Sequence, residues 1–210
     1  MKLLVLGATG KTGQLVLAAA HRAGHDVTVL VRDPARLPSA EGLTVVAGDA
    51  TSADDLTKAL AGQDALIGVV GGGYSVTSDI ASRVGKAIVA AAAAAKGKRV
   101  VVLSAFGAGD SREKCSPLQK IAFGTVMNAV YGDKAVGDAA LRASDLDYTI
   151  VQPVTFKEKP ATGRVTLTKI ADLKPLTGFP KVSRADVAET LVAIATGTQW
   201  SRTTVALTPA

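Results

Sequence analysis

The sequence predicts an α/β protein built on a doubly wound parallel sheet. Along the first 153 residues, short runs of aliphatic and β-branched residues alternate with longer, alanine-rich segments. The short runs are continuously apolar, as expected of strands in a sheet that helices cover on both faces. A glycine-rich turn, GATGKTG, joins the first run to the first alanine-rich segment. Together these features indicate parallel βαβ units.

Six strands are predicted in this part of the chain. They cover residues 2–7, 26–32, 43–50, 64–73, 99–107 and 147–153. Helical patterns occupy residues 11–24, 53–62, 77–96 and 118–144. The second of these helices begins behind Ser52, which together with Asp55 resembles a capping box.

The composition changes after Pro153, where proline, glycine and lysine become frequent. This region contains one strand-like run at 164–168, and a helix at 184–196 and a strand at 203–208 close the chain. We therefore expect one domain over residues 1–210, with residues 154–184 forming a small lid on the substrate side.

The composition also restricts partners and location. Hydrophobic residues make up 48% of the chain, enough for the whole length to fold, and its apolar runs are too short for a transmembrane helix. A single cysteine excludes an internal disulfide framework and fits a reducing cytoplasm. We expect a cytoplasmic protein with no membrane partner.

The chain is basic, with a formal net charge of +6 and a sequence pI of about 9.5. The basic residues are dispersed and only 4% of residues are aromatic, so no stacking surface for nucleic acid is indicated. A moderate positive field also attracts a phosphorylated cofactor or an anionic substrate. We favour that interpretation and expect no nucleic-acid partner.

The glycine turn predicts a dinucleotide site. Gly7 permits a sharp turn, Gly10 lets the backbone approach a pyrophosphate, and Gly13 allows close packing of the helix on the sheet. The helix N-terminus then offers amide donors to the phosphates. The alternative is a glycine-containing turn that binds nothing. The candidate cofactor-binding residues of this turn are Gly7, Thr9, Gly10, Lys11, Thr12 and Gly13.

The end of the second predicted strand indicates which dinucleotide binds. An acidic residue there would accept hydrogen bonds from the adenosine ribose, whereas this strand ends at Arg32, with Arg36 nearby. An arginine fork matches a phosphate, so NADP(H) is favoured over NAD(H). Asp33 follows directly and keeps NAD(H) possible. A solvated arginine at a strand end is the alternative.

Further cofactor contacts are expected beyond the carboxyl ends of the other strands, where ligands of such sheets bind. We expect the third strand to end beside the adenine, the fourth along the ribose and diphosphate, and the fifth and sixth around the nicotinamide. The residues at these ends are Asp49, Ala50, Val70, Gly71, Gly72, Ser104, Ala105, Phe106, Pro153, Val154 and Thr155.

Seven segments spread over nearly the whole chain resemble a known family. They are GATGKTG, VTVLVRDPARLPS, VVAGDA, AGQDALIGVVGGG, VVLSAFG, LRASDLDYTIVQP and VSRADVAE. In this order they are similar to the NmrA-like group of atypical short-chain dehydrogenases, and in particular to its biliverdin and flavin reductases. The resemblance implies a single NAD(P)-binding Rossmann domain, NADPH as hydride donor and a shallow, permissive site.

The resemblance also implies site residues and acceptors. Ser104 matches a serine placed near the nicotinamide or substrate, and Lys134 a lysine that reaches the nicotinamide ribose. Family acceptors are flavins, quinones and linear tetrapyrroles, while some relatives bind the dinucleotide as redox sensors without catalysis. The chain departs from its relatives at Gln152–Thr155 and in the loop 107–119, which leaves the substrate open.

Tyr131 and Lys134 invite comparison with the Tyr-x-x-x-Lys acid of typical short-chain dehydrogenases. Here the two residues are three positions apart, and the position four before Lys134 is Val130. The tyrosine is therefore displaced by about 100° around the helix. We interpret Lys134 as a cofactor ligand and Tyr131 as a helix residue or a wall of the site.

These observations predict an NADPH-dependent reductase of flat, conjugated acceptors that lacks the Tyr-x-x-x-Lys acid. Its catalytic residues would be Ser104 and Lys134, with solvent supplying the proton and no metal required. Phe106, Phe123 and Phe156 are possible stacking walls. The alternative is a non-catalytic NADP(H)-binding sensor, and a sugar epimerase is disfavoured. We expect a small-molecule acceptor and a monomer or weak homodimer.

Overall fold

The computed structural model describes residues 1–37, 41–71, 79–124 and 127–210. Its strands are β1 (Lys2–Leu6), β2 (Asp26–Val31), β3 (Leu43–Ala47), β4 (Ala65–Gly68), β5 (Arg99–Leu103), β6 (Asp147–Pro153), β7 (Thr155–Lys157), β8 (Val165–Lys169), β9 (Lys181–Ser183) and β10 (Thr203–Pro209). Its α-helices are α1 (Lys11–Arg22), α2 (Ala53–Leu60), α3 (Ile80–Ala90), α4 (Ala92–Ala95), α5 (Pro117–Gly124), α6 (Asn128–Arg142) and α7 (Arg184–Thr196). Single 3-10 segments cover Pro34–Arg36 and Gly109–Lys114.

The predicted doubly wound sheet is confirmed. Within the described ranges, the main sheet has eight strands in the order β3-β2-β1-β4-β5-β6-β10-β8. The strands from β3 to β10 pair in parallel, and only the edge strand β8 runs antiparallel to its neighbour. The strand order reverses between β1 and β4, and ligands of such sheets bind at that reversal.

The continuous apolar character of the strands follows from two cores, one on each face of the sheet. Leu3 and Val5 point into the core under α1 and α7, whereas Leu4 and Leu6 point into the core under α2 and α3. Successive side chains of a strand alternate between the faces. Since both faces are covered, both sets must be apolar, and all four of these side chains are fully buried.

Residues 154–184 divide into two parts. β7 and β9 form a separate two-stranded parallel sheet, whereas β8 extends the edge of the main sheet. The connection between β7 and β8 is fixed by buried Asp186 in the first turn of α7. Its carboxylate accepts hydrogen bonds from the amides of Thr162 at 2.7 Å and Gly163 at 2.8 Å. Only part of the expected lid therefore lies apart from the main sheet.

The helical segments are shorter than the sequence predicts. The predicted helix 77–96 consists of α3 and α4, and the predicted helix 118–144 consists of α5 and α6. Ser52 is the N-cap of α2, and its Oγ accepts from the Asp55 amide at 3.2 Å. The other half of the expected capping box is absent, because the Asp55 carboxylate accepts instead from the Asp49 amide at 2.9 Å.

Helices α3 and α6 approach closely because glycines face each other. A Cβ on Gly85 would lie 2.8 Å from Cα of Gly137, and a Cβ on Gly137 would lie 2.7 Å from the carbonyl oxygen of Ala81. Both distances are shorter than real Cβ contacts, and backbone atoms cannot move aside singly. This contact sets the position of α6, which carries Lys134.

Replacing Gly137 with alanine is expected to destabilise the fold, because the added methyl group forces α3 and α6 apart. Overpacking of this kind costs about 1–3 kcal/mol, or a few degrees in Tm for a chain of this size. Gly132 on the same helix is the matched control, since a Cβ there meets nothing within 4 Å. Gly132→Ala should raise stability by about 0.5–1 kcal/mol. Thermal unfolding of both variants checks this, and equal Tm changes would contradict it.

Candidate functional site

A cavity of about 530 Å³ lies beyond the carboxyl ends of β1 to β4. The predicted cofactor residues that line it are Gly7, Thr9, Gly10, Arg32, Asp49, Ala50, Val70 and Gly71. Gly72 and the glycine after it lie outside the described residues. Strand ends that are far apart in the sequence therefore meet at one cavity, at the point where the strand order reverses.

The glycine turn leaves no space for side chains at two of its positions. Gly7 has a φ of +86°, and a Cβ there would lie 2.9 Å from the Val69 carbonyl. A Cβ on Gly13 would lie only 2.1 Å from the Gly7 carbonyl oxygen. Gly10 is exposed to the cavity and caps α1 without a side-chain hydrogen bond. The amides at the start of α1 are thus left open toward a ligand.

The side chains at the end of β2 lie at the position that bears on the choice between the two dinucleotides. Arg32 and Arg36 both line the first cavity and are exposed. The Asp33 carboxylate accepts a hydrogen bond from the Ala35 amide at 3.1 Å and caps a short 3-10 turn. An acidic side chain engaged in this cap is poorly placed to bind a ribose hydroxyl. Two cations therefore dominate the strand end where NADP-specific proteins bind the 2′-phosphate.

Asp49 is held by its own turn at the end of β3. Its Oδ1 accepts from the Thr51 amide at 2.8 Å and from the Thr51 hydroxyl at 3.0 Å. The amide hydrogen bond, together with the Thr51 hydroxyl and the positive charges of Arg32 and Arg83, keeps the pKa of Asp49 below its ordinary value. Asp49 is therefore a fixed anion on the wall of the first cavity.

A second cavity, of about 620 Å³, continues from the glycine turn toward β5, β6 and the lid. The predicted residues that line it are Gly10, Lys11, Thr12, Val70, Gly71, Ser104, Ala105, Phe106, Lys134, Pro153, Val154 and Thr155. The three phenylalanines expected as walls also border it, together with Tyr131. Gly13 alone of the described cofactor candidates borders neither cavity, and its role is in packing the turn.

Aromatic rings are concentrated on one side of the second cavity. The Phe123 ring lies 5.0 Å from the Tyr131 ring and 6.3 Å from the Phe179 ring, between ring centroids. Phe156 packs under the guanidinium of Arg184, which lies 4.3 Å from the ring centroid. The cavity therefore offers large apolar surfaces to a ligand on its lid side.

Behind the second cavity lies a buried polar network that the sequence did not predict. The Ser104 hydroxyl donates to Oδ2 of Asp138 at 2.7 Å, and the Gln152 amide donates to the same oxygen at 3.1 Å. Asp138 is 3% exposed and Ser104 4% exposed. Burial raises the pKa of Asp138 above its ordinary value of 3.8, against the opposing effects of Ser104, Lys134 and Gln152.

Lys134 lies one helical turn before Asp138 on α6. Its ammonium group lies 3.5 Å from the Leu103 carbonyl oxygen, and its side chain lines the second cavity. Burial lowers the pKa of Lys134 below its ordinary value, while the charges of Asp138 and Asp133 oppose that shift. Asp133 is engaged elsewhere, because its carboxylate accepts from the amides of Ala81 and Ser82, each at 2.9 Å.

Tyr131 and Val130 both border the second cavity, so the displaced tyrosine still faces the site. Tyr131 is 9% exposed and packs on Phe123. Cys115, by contrast, is buried beneath this region, and burial raises the pKa of its thiol. That environment disfavours the thiolate and with it a redox role for this cysteine.

Arg184 joins the lid to the cofactor turn, and sequence reasoning missed it. Its guanidinium donates to the Thr12 hydroxyl at 2.9 Å and pairs with the Glu158 carboxylate at 2.8 Å. The hydrogen bonds and charge of Arg184 lower the pKa of Glu158. Asp138 was missed too, although its position four residues after Lys134 was visible in the sequence. Arg184 carried no such signal, because 172 residues separate it from Thr12.

A family model described as NAD(P)H-binding matches residues 7–198, a span that contains both cavities. This chain belongs to that NAD(P)H-binding family. Its cofactor is accordingly NAD(P)H, and its fold matches the NmrA-like short-chain dehydrogenases. The described residues fit such a cofactor, since the glycine turn leaves backbone amides open and two arginines line the adjoining cavity.

Similar proteins support an oxidoreductase-type fold for this NAD(P)H-binding chain. A Bacillus subtilis protein named as an uncharacterised sugar epimerase is 34% identical over 202 residues, covering 92% of this chain and 87% of its own length. An anaerobillin reductase from Escherichia coli O157:H7 superposes with a TM-score of 0.80 at 26% identity, covering 100% of this chain and 97% of its own.

A third similar protein is a short-chain dehydrogenase/reductase from Veillonella parvula, whose structure was solved in complex with NADP. It superposes with a TM-score of 0.74 at 20% identity, covering 99% of this chain and 94% of its own. That likeness shows the shared fold. Of the helices described for the NAD(P)H-binding chain, none has the length and apolar character needed to cross a membrane.

Proposed function

We propose that this chain is an NADPH-dependent reductase that delivers hydride to a flat, conjugated acceptor such as a flavin, a quinone or a linear tetrapyrrole. The observation that carries the proposal is the second cavity, which is continuous with the glycine turn and walled by aromatic rings. A reductase must hold an acceptor face to face with its cofactor, and apolar walls favour a planar ligand.

The cofactor would lie across both cavities. The start of α1 would hold the diphosphate, and Arg32 and Arg36 would bind the 2′-phosphate. Lys134 would bind the nicotinamide ribose, with the residues after β5 and β6 flanking the ring. When bound, NADPH supplies the hydride. These assignments place the reacting end of the cofactor at the aromatic cavity and its adenosine end at the arginines.

The residues beside Lys134 favour conjugated acceptors over simple ketones. A ketone reductase holds a tyrosine acid four residues before the lysine, and here that position is Val130. A conjugated acceptor spreads the incoming charge and depends less on a strong acid at one oxygen. The phenylalanine walls fit the face of such an acceptor, and the similarity to a protein named as an anaerobillin reductase supports a reductase.

A sugar epimerase is the competing activity suggested by the name of the Bacillus subtilis relative. An epimerase must orient a polyhydroxylated substrate through several hydrogen bonds. The lid side of the second cavity instead presents Phe123, Phe156 and Val154, together with Pro180. Glu158 and Arg184 also border the cavity there, but they pair with each other. We therefore favour reduction of a conjugated acceptor.

The purified protein is expected to oxidise NADPH when given FMN, a quinone or biliverdin, with slower oxidation of NADH. The decrease in NADPH absorbance, followed with and without each acceptor, measures this. Lys134→Met should lower the rate, and activity that this variant fails to lower would come from a contaminating reductase. Lys86→Met, an exposed change on α3, is the control and should keep the wild-type rate. NADPH binding without turnover across the panel would contradict the reductase and favour the sensor.

A further inference from the structure

The buried network behind the second cavity connects an acid with a hydroxyl that borders the proposed reaction site. Ser104 lines the second cavity, whereas Asp138 does not and lies behind it, beside a void of about 20 Å³ between α3 and α6. The two side chains come from elements 34 residues apart and are joined at 2.7 Å. Ser104 therefore both borders the second cavity and is hydrogen-bonded to this carboxyl group.

We propose that Asp138 and Ser104 form a proton relay, in which Asp138 supplies through Ser104 the proton that accompanies hydride transfer. The relay rests on the proposed reductase function and adds to it a proton source within the protein. It replaces the expectation that solvent provides the proton directly. In this scheme Ser104 touches the acceptor, and Asp138 acts through Ser104.

The hydrogen-bond geometry gives the proton on Oδ2 one direction of transfer. Two groups are hydrogen-bonded to this oxygen, the Ser104 hydroxyl and the Gln152 side-chain amide. An amide NH₂ group has no lone pair that accepts a proton, whereas a hydroxyl oxygen does. Gln152 also donates to the Ala108 carbonyl at 3.2 Å, which fixes its orientation. A proton that leaves Oδ2 along a hydrogen bond therefore goes to Ser104.

The charge of Asp138 also determines how Ser104 faces the cavity. When Asp138 is ionised, the Ser104 hydroxyl donates to it and presents only lone pairs to a ligand. When Asp138 is protonated, its O–H can donate to Ser104, and the Ser104 hydroxyl is then free to donate into the cavity. Protonated Asp138 thus converts Ser104 from an acceptor into a donor at the proposed reaction site.

The surroundings of Asp138 favour the protonated state more than water does. The neighbouring elements present uncharged residues to the void beside it and to its carboxyl group. These residues are Gly68 of β4, Ser104 after β5, Gln152 of β6, and Ala81, Val84 and Gly85 of α3. The charged groups that act on it are Lys134 and Arg142, both on α6. Burial is the largest effect and raises the pKa of Asp138, while the hydrogen bonds from Ser104 and Gln152 and the two cations lower it and offset only part of the shift.

For a quinone, bound NADPH would supply the hydride, and the electron pair of the reduced bond would move to a carbonyl oxygen of the acceptor. That oxygen takes the Ser104 proton as the Oγ–H bond breaks, and Oγ takes the Asp138 proton as the Oδ2–H bond breaks. The result is a hydroquinone, NADP⁺ and an ionised Asp138, whose charge Lys134 and Gln152 help to stabilise. Water entering after product release returns a proton along the same path.

Tyr131 is the competing proton donor, because it borders the same cavity. It lies about two turns before Asp138 on α6 and packs on Phe123. Two features favour Asp138 as the source. Its carboxyl group is directly hydrogen-bonded to a hydroxyl at the end of β5, and its acidity exceeds that of a phenol. The Tyr131→Phe variant separates the two donors.

The test compares two acceptors that differ in their need for a proton. Hydride transfer to a quinone at neutral pH needs a proton on oxygen, whereas FMN at alkaline pH accepts hydride as a stable delocalised anion. Asp138→Asn keeps the shape but loses the transferable proton, and Ser104→Ala removes the hydroxyl. Asp145→Asn, on an exposed side chain after α6, is the control for removal of one carboxylate.

The relay predicts that Asp138→Asn and Ser104→Ala each lower the quinone rate by about 100-fold, the usual contribution of a general acid. The double variant should lose no more than either single variant, because both remove the same path. For Asp138→Asn, whose side chain does not line the second cavity, the FMN rate at alkaline pH should change by less than about threefold. The wild-type quinone rate should fall as rising pH ionises Asp138. Asp138→Asn should remove this fall. Asp145→Asn should keep the wild-type rates.

Infrared difference spectra between wild type and Asp138→Asn provide a measurement independent of turnover. They should contain the carbonyl band of a protonated carboxylic acid that titrates above pH 3.8, the ordinary value for aspartate. Ser104→Ala should shift this band, because the hydrogen bond is lost. A carboxyl group that titrates at or below the ordinary value would overturn the relay.

The outcomes separate the relay from the reductase function on which it rests. If the wild-type protein reduces the quinone and Asp138→Asn reduces it at the same rate, the relay is wrong and the reductase function stands. The relay is also wrong if the losses in rate multiply in the double variant, or if the rates with both acceptors fall equally. It is wrong as well if only Tyr131→Phe lowers the quinone rate. A wild-type protein that binds NADPH and reduces neither acceptor overturns the proposed function, and the relay with it.

Discussion

Arg32→Ala is expected to weaken NADPH binding by about 10- to 100-fold while changing NADH binding by less than about threefold. A hydrogen bond to a charged group contributes about 1.5–3 kcal/mol, and about 1.4 kcal/mol corresponds to a factor of ten. Arg32 lines the first cavity beyond β2, where the 2′-phosphate of NADPH would lie. NADH has a hydroxyl there and loses little when the guanidinium is removed.

Titration calorimetry with both dinucleotides measures this difference, and two further variants make it specific. Arg36→Ala, from the same cavity wall, should show a weaker effect in the same direction, because Arg36 lies beyond the strand end in the 3-10 turn. Arg22→Ala removes an exposed charge that pairs with Glu189 on α7, away from the cavity residues, and should leave both affinities unchanged. Equal losses of NADPH and NADH affinity in Arg32→Ala would contradict the assignment.

Gly13→Ala is expected to lower both the stability of the fold and the affinity for NADPH. The added Cβ would lie 2.1 Å from the Gly7 carbonyl oxygen and 2.8 Å from the Ala8 Cα, both backbone atoms. The turn must therefore open, which costs about 1–3 kcal/mol as overpacking. An opened turn also displaces the first amides of α1, so we expect NADPH affinity to fall by about tenfold or more, equivalent to 1.4 kcal/mol.

Gly10→Ala separates the structural from the binding role of this turn. Its Cβ would lie 3.4 Å from the Gly7 carbonyl oxygen, an ordinary contact, but the methyl group would face the first cavity. Gly10→Ala should therefore lose NADPH affinity while lowering the Tm less than Gly13→Ala does, because it loses only the capping preference for glycine at the start of α1. Thermal unfolding without ligand and titration with NADPH measure the two effects. A wild-type Tm for Gly13→Ala would show that the turn adapts and would refute this account.

Some of the predicted site residues follow from local sequence rules, whereas others depend on how the helices pack. Glycines at fixed spacing and residues at strand ends follow from local rules, so the residues around the first cavity were predictable once the strands were placed. The walls of the second cavity were predictable only in part. Phe123 and Tyr131 both border it, although they belong to two separate elements, α5 and α6.

The sequence by itself determined the order of strands and helices, the glycine turn and the basic end of β2. These depend on apolar periodicity and on backbone requirements that act over a few residues. Only the tertiary structure decided which polar side chains meet. Asp138 reaches Ser104 because Gly85 and Gly137 let α3 and α6 pack closely, and Arg184 reaches Thr12 because α7 packs beside α1. Such contacts depend on the rotation and separation of whole helices, which no local pattern specifies.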